Sequence, residues 1–332
     1  PLGTDTLTPV VITDTLPGDS DDPAIWVNAG DPSKSLVLGT DKGDTTGGVY
    51  VFSLDGKIDR KRSVTPLMRM NNVDIAYGLD VDGRPVDVAV ATERNRMMLR
   101  VFSLPDMKAI DGGGARMFDG DTLRAPMGVA LYRRPKDGAL YAIVGGKSGP
   151  TEGYLEQYRL AYSSGQVQAS KVRTFGAYSG KKEIEAIVVD AARGFVYYSD
   201  ENVGVRKYYV DPDSSTRELA LFATSGVQDD HEGLAIYAPN DSTGYIVLSD
   251  QGGHRIHIFP REGSAGAPHV HPLLAVIPVR AQETDGLEVT AKPLGARFPK
   301  GMLAMMSNRG AFHFYRWEDV QAAIDKIRAT TK

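Results

Sequence analysis

The chain contains no cysteine. Disulfides, zinc–thiolate centres and cysteine nucleophiles are therefore excluded together. That absence fits the cytosol, and equally an exported bacterial protein that folds without oxidation. No stretch approaches the roughly 20 apolar residues that a helix needs to span a bilayer, so no membrane partner is expected. Positive charge is scarce too. The formal net charge is -4 over 332 residues, and no global basic field draws nucleic acid. The Gly-x-Ser-x-Gly, P-loop and HExxH signatures are missing. Gly112-Gly113-Gly114 makes no phosphate cradle, because no helix follows it. The six histidines do not form a metal or base set. His254 and His257 share one strand region, and His269, His271 and His313 are scattered; only His231, between Asp230 and Glu232, is placed to reach a shared site. The sequence begins Pro1-Leu2-Gly3-Thr4, without Met or a signal peptide. It reads as processed or trimmed, which leaves room for a removed export signal.

Turn-formers, by contrast, are plentiful, with 36 glycines and 19 prolines. That load suits many short strands better than long helices. Six segments begin alike, with a polar or acidic residue before an aliphatic strand: Asp22-Pro-Ala-Ile-Trp-Val, Asn72-Val-Asp-Ile-Ala-Tyr, Met127-Gly-Val-Ala-Leu-Tyr, Glu185-Ala-Ile-Val-Val, Glu232-Gly-Leu-Ala-Ile-Tyr and Asp285-Gly-Leu-Glu-Val. Their spacing of roughly 50 residues is that of propeller blades. Turns such as Asp82-Gly83, Asp137-Gly138 and Arg193-Gly194 lead to a second apolar run, then to a third that ends in an aromatic residue. Continuous apolar runs suit strands buried between neighbouring blades. A more polar fourth strand, as in Ser170-Lys-Val-Arg-Thr-Phe, follows most third strands. The last blade lacks one, and Thr8-Pro-Val-Val-Ile-Thr is expected to supply it and close the ring. The expectation is an all-β, six-bladed β-propeller forming one domain over residues 1–332. A short helix from Trp317 to Arg328, with Ala322, Ala323 and Ile327 at helical spacing, should pack outside it. The stretch of lowest order should lie around Ser264 to His271.

In a propeller the first strand of each blade lines the central channel, so residues at its start converge. That brings together Asp21, Asp22, Asp74, Glu185, Asp230, Glu232, Glu283 and Asp285, with Asn72 adding an amide oxygen. Such carboxylates repel unless protons or cations relieve them. Oxygen ligands alone favour hard cations, and a flexible multi-carboxylate site favours Ca²⁺ over Mg²⁺. Taken singly, each acid serves equally well as a turn cap; the convergence of all of them points to a metal. Lys42, Arg94 and Lys147 occupy one position after the second strand of blades one to three, in Gly-Thr-Asp-Lys, Ala-Thr-Glu-Arg and Gly-Gly-Lys. Beside bound cations they form a receptor for phosphate or carboxylate.

Asp21-Asp22-Pro23-Ala24-Ile25-Trp26, Asn71-Asn72-Val73-Asp74, Gly145-Gly146-Lys147, Leu155-Glu156-Gln157-Tyr158, Glu232-Gly233-Leu234 and Thr284-Asp285-Gly286 follow one another in order. Together they resemble the calcium-dependent β-propeller phytases over nearly the whole chain. The resemblance implies several calcium ions and hydrolysis of calcium-bound myo-inositol hexakisphosphate by direct attack of a calcium-activated water. It implies metal ligands at Asp21, Asp22, Glu185, Glu201 and Glu232, joined by Asp230, Gln251 and Asp285, and phosphate contacts from Lys42, Arg94 and Lys147. Lys42, Arg94, Lys147 and Glu201 are thereby the catalytic positions. A monomer in the periplasm or outside the cell is also implied. The pattern breaks at Met127, where the family has Tyr, at Gly43 after Lys42, at Ser148 after Lys147, and in the shorter Gln282-Glu283-Thr284. Two other readings compete. One is a metal-dependent lactonase-type propeller, which has no need of the cationic triplet; the other is a ligand-binding propeller without turnover.

Overall fold

The computed structural model describes residues 2–330. Six antiparallel sheets form the six blades. Their inner strands are Ser20–Trp26, Met70–Val81, Pro126–Arg133, Ile187–Asp190, His231–Tyr237 and Leu287–Thr290. The second strands are Leu36–Asp41, Arg84–Glu93, Leu140–Gly146, Phe195–Asp200, Tyr245–Asp250 and Met302–Ser307. The turn between the first two strands of blade two shows why these elements form where they do. Asp82 and Gly83 both take positive φ, 51° and 78°, which matches the twist of a tight hairpin. The Asp80 carboxylate accepts the Gly83 amide at 2.7 Å and fixes the turn.

An apolar core lies between each pair of neighbouring blades. Val88, Val90 and Val101 of blade two, for example, meet Val129, Leu131 and Val144 of blade three. Both faces of a blade are covered in this way. The second strands are therefore apolar without alternation, as in Val88–Ala91, where each residue is fully buried.

Val11–Ile12 pairs with Ala311–Arg316, placing Val11 opposite Phe314 and Ile12 opposite His313. The N-terminal segment thus supplies the outer strand of blade six. Upstream it runs along the outer strand of blade five, where the Gly3 amide donates to the Val276 carbonyl at 2.8 Å and that of Leu7 to Pro278 at 2.9 Å. The C-terminal helix, Trp317–Thr330, packs on blades five and six through Trp317, Val320, Ile324 and Ile327. Trp317 stacks on Tyr237 with ring centroids 3.7 Å apart. Ala322 is exposed, so the buried stripe follows the large apolar residues and leaves out that small one.

The stretch 264–271 is irregular but fixed. Buried Lys207 donates to the Pro268 carbonyl at 2.7 Å and lies 3.1 Å from His271 Nε2. Its ammonium also sits 4.0 Å from the centre of the Phe195 ring. A polar, Gly-containing sequence reads as loose here, because the lysine that anchors it lies about sixty residues away in blade four.

Candidate metal centre

One backbone contact recurs in every blade and defines a ring of equivalent positions. The residue just after the second strand donates its amide to the segment that precedes the inner strand. The pairs are Lys42 to Asp19 (2.8 Å), Arg94 to Arg69 (3.0 Å), Lys147 to Arg124 (2.7 Å), Glu201 to Glu183 (3.4 Å), Gln251 to Asp230 (3.3 Å) and Asn308 to Gln282 (2.9 Å). Blades one to three thus place cations on this face, while blades four to six place Glu, Gln and Asn.

Two residues upstream of each ring position, a hydroxyl usually ties its blade to the next. Thr92 Oγ1 donates to the Met127 carbonyl at 2.6 Å, Ser199 Oγ to Glu232 at 2.8 Å and Ser249 Oγ to Thr284 at 2.8 Å. Thr40 Oγ1 likewise bonds the Asn71 carbonyl. Blade three has Gly145 instead, where a Cβ would stand 2.9 Å from the Ile184 carbonyl. The close approach of blade four requires its absence.

The residue between hydroxyl and ring position is an acid in four blades, and there its task is structural. Asp41 accepts the amides of Gly18, Asp19 and Gly43. Glu93 accepts the Met68 amide and an Arg100 nitrogen. Asp200 holds Ser179 and Arg206, and Asp250 holds Gln228, Gly253 and Arg255. With their lone pairs taken by these donors, the four acids brace the loops that carry the site.

The site acids form two groups linked by Glu185. Lys42 Nζ bridges Asp21 Oδ1 at 2.9 Å and Asp285 Oδ2 at 2.6 Å. Gln251 Nε2 donates to Asp285 Oδ1, and Asn71 Nδ2 to Asp21 Oδ2 at 3.2 Å. In the second group Glu201, Asp230 and Glu232 each bring an oxygen within 4.8 Å of the others. Lys182 bonds Asp230 and stands 3.6 Å from Glu201. Lys147 pairs with Glu183 at 3.2 Å. The Arg94 guanidinium has no ion-pair partner among the described residues. His231 bonds the Ala223 carbonyl of blade four at 2.7 Å rather than joining its acidic neighbours. The Met127 side chain is fully buried, so blade three presents Lys147 to this face and no polar group at its strand start.

Crowding shows in the charges. Burial, then the charge of Asp21, pushes the Glu185 carboxyl well above the ordinary range. Burial does the same to Glu232, with Glu185 and Glu201 adding to it. Glu201 rises to about 8 through burial, although Lys182 pulls against it. Asp285 rises to about 7 through burial and the charge of Asp21, although Lys42 pulls against them. Burial opposes the charge of Lys42, but Asp21, Asp285 and Glu185 outweigh it and hold Lys42 above the ordinary lysine range.

Asp22 faces a different part of the channel. Its Oδ2 accepts the Val73 amide at 3.1 Å, and the charges of Asp21, then of Glu288 and Asp74, add to the rise that burial causes. Asp74 is raised to about 6 by burial, and Glu288 to about 8 by burial and then by Asp74. Asn72 lines the same cavity, of about 210 Å³, with its buried Oδ1 unpartnered.

This donor set fits a hard divalent cation. It consists of oxygen atoms, and in the trio they are as close as two ligands on one Ca²⁺ stand, at most about 5 Å apart. Carboxylates with raised pKa gain most from such an ion, because it removes the repulsion that raised them. The carboxylate cluster can therefore hold a metal ion.

Sequence reasoning missed Lys182, Glu183, Asn71, Asn308 and Glu288. Asn308 directly follows the second apolar run of blade six, but Met306-Ser307 stand before it where blade five has Ser249-Asp250, so the hydroxyl–acid pattern did not mark it. Lys182 had no signal either, since the matching positions in the other blades, Gly18, Met68, Leu123, Asp229 and Ala281, carry no lysine.

The sequence matches the model of the Phytase family over residues 4–313. It is also similar to the 3-phytase of Bacillus subtilis (strain 168), with 29% identity over 295 residues that cover 85% of this chain and 73% of that protein. With this match spanning the blades and the acidic ring alike, the chain belongs to the Phytase family.

Proposed function

We propose that the protein is a calcium-dependent phytase that releases phosphate from myo-inositol hexakisphosphate. The observation that carries the reading is the ring of six equivalent positions, in which Lys42, Arg94 and Lys147 lie on one half and acids or amides on the other. A polyanionic substrate bound to calcium needs both kinds of group at one mouth. A lactone needs no cationic triplet.

Bound at the carboxylates, calcium would neutralise charge on the transferring phosphoryl group and lower the pKa of water. Asp21, Asp285, Glu185, Glu201, Asp230 and Glu232 would hold it, with Gln251 orienting Asp285 and Asn71 orienting Asp21. Asp22 and Asn72 would serve an ion lower in the channel. Arg94, whose guanidinium has no ion-pair partner among the described residues, would grip a phosphate through two parallel N–H bonds. Lys42 and Lys147 add point charges on either side of it. Glu201, which stands at the ring position of blade four among these acids, would help hold the ion beside the phosphate. The proposal extends to export from the cell and action as a monomer.

Arg94→Ala tests the substrate half of the site. We expect kcat/KM on phytate to fall by about 10²-fold, the scale for losing one charged transition-state contact. Unchanged kcat/KM would remove Arg94 from the site.

A further inference from the structure

Lys182 enters the acidic ring from the segment before the inner strand of blade four, next to Glu183. Its ammonium bonds Asp230 and lies 3.6 Å from Glu201, two of the three acids whose oxygens meet within 4.8 Å. Burial works against its charge, yet Asp230, Glu201 and Glu232 outweigh that and keep it protonated. Lys182 differs from Lys42 in mobility. The side chain of Lys42 is 17% exposed and fixed between two acids at 2.9 and 2.6 Å. That of Lys182 is 43% exposed, on a flexible four-carbon stem. It can leave without opening the core.

A divalent ion on this trio would need those oxygens at about 2.3–2.6 Å. An ammonium bonded to the same carboxylates would repel it and occupy their lone pairs. We propose that Lys182 is a resident counter-ion of the Glu201–Asp230–Glu232 trio, which a divalent cation must displace in order to bind. The inference rests on the metal reading of this site. Lys182 then serves two ends. Without metal it holds Asp230 and Glu201 near each other, so the trio is preformed. With metal it sets how tightly the ion is kept, because every binding event breaks the lysine contacts first. It is a positioning residue that tunes affinity for the cation.

The test is calorimetric titration of Ca²⁺ into the metal-free whole chain, without phytate, for the parent and for Lys182→Met. One ion should bind at least about tenfold tighter in Lys182→Met, as expected when one competing contact of moderate strength is removed. The metal-free melting temperature of Lys182→Met should fall, and calcium should restore it. Lys182→Arg, which keeps the charge, should stay close to the parent. If Lys182→Met does not fold, Lys182→Gln takes its place with the same expectation. Calcium binding by the parent with unchanged or weaker binding by the neutral variant overturns the role of Lys182. Absence of calcium binding in both proteins overturns the metal reading itself.

Discussion

Lys42 of blade one and Asp285 of blade six are 243 residues apart in sequence, yet Nζ and Oδ2 lie 2.6 Å from each other. The contact crosses the seam between the first and last blades at the inner edge of blade six, the edge opposite the outer strand that the N-terminus supplies. One lysine thereby joins the first and last blades and neutralises the acids at their meeting point. Closure of the fold and assembly of the site are one event here.

Lys42→Met should therefore damage both. Removing one partner of a largely buried pair costs on the order of 3 kcal/mol, because the acids stay behind unpaired. At roughly 1.4 °C per kcal/mol for a chain of 332 residues, the metal-free melting temperature should drop by about 4 °C. Turnover of phytate should be lost as well, even where calcium restores the fold. A melt followed with and without calcium, beside an activity assay, checks both effects.

The hydroxyl ties between blades separate stability from chemistry. Ser249→Ala leaves the buried Thr284 carbonyl without its donor. The cost should be about 1–3 kcal/mol, read as a lower urea midpoint with an unchanged slope. At saturating calcium, kcat should remain within about twofold of the parent, since Ser249 faces the neighbouring blade and not the mouth.

Glu288 predicts a pH dependence. Burial and Asp74 raise its folded pKa to about 8, against an ordinary value of 4.5. The folded state thus favours the proton. The stability this contributes is fully present below the unfolded pKa near 4.5 and is lost as pH rises through about 8. Glu288→Gln is neutral at every pH. In metal-free protein its melting temperature should match the parent at pH 4 and exceed it by several degrees at pH 9. Melts across that range decide the point, and a constant difference would contradict it.

Much of this was legible in the sequence because the fold repeats. A blade start such as Glu232-Gly-Leu-Ala-Ile-Tyr announces its strand by an apolar run, and six of them fix the architecture. Lys42, Arg94 and Lys147 were found because one position recurs. What recurs only once is hidden. Lys182 acts across a blade boundary on Asp230, and Lys207 pins a loop of another blade. The helix stripe was also misplaced onto Ala322, because small residues satisfy helical spacing without needing burial. His231 lies between two site acids in sequence, but strand alternation turns it to the opposite side and onto Ala223.

The most direct test is phosphate release from phytate at pH 7.5, with the protein stripped by chelator and then given calcium. The account predicts negligible release without calcium, full release on its addition, and none from Glu232→Gln at the same calcium concentration. Equal release with and without calcium, or an active Glu232→Gln, would contradict a calcium site built on the carboxylates of the ring.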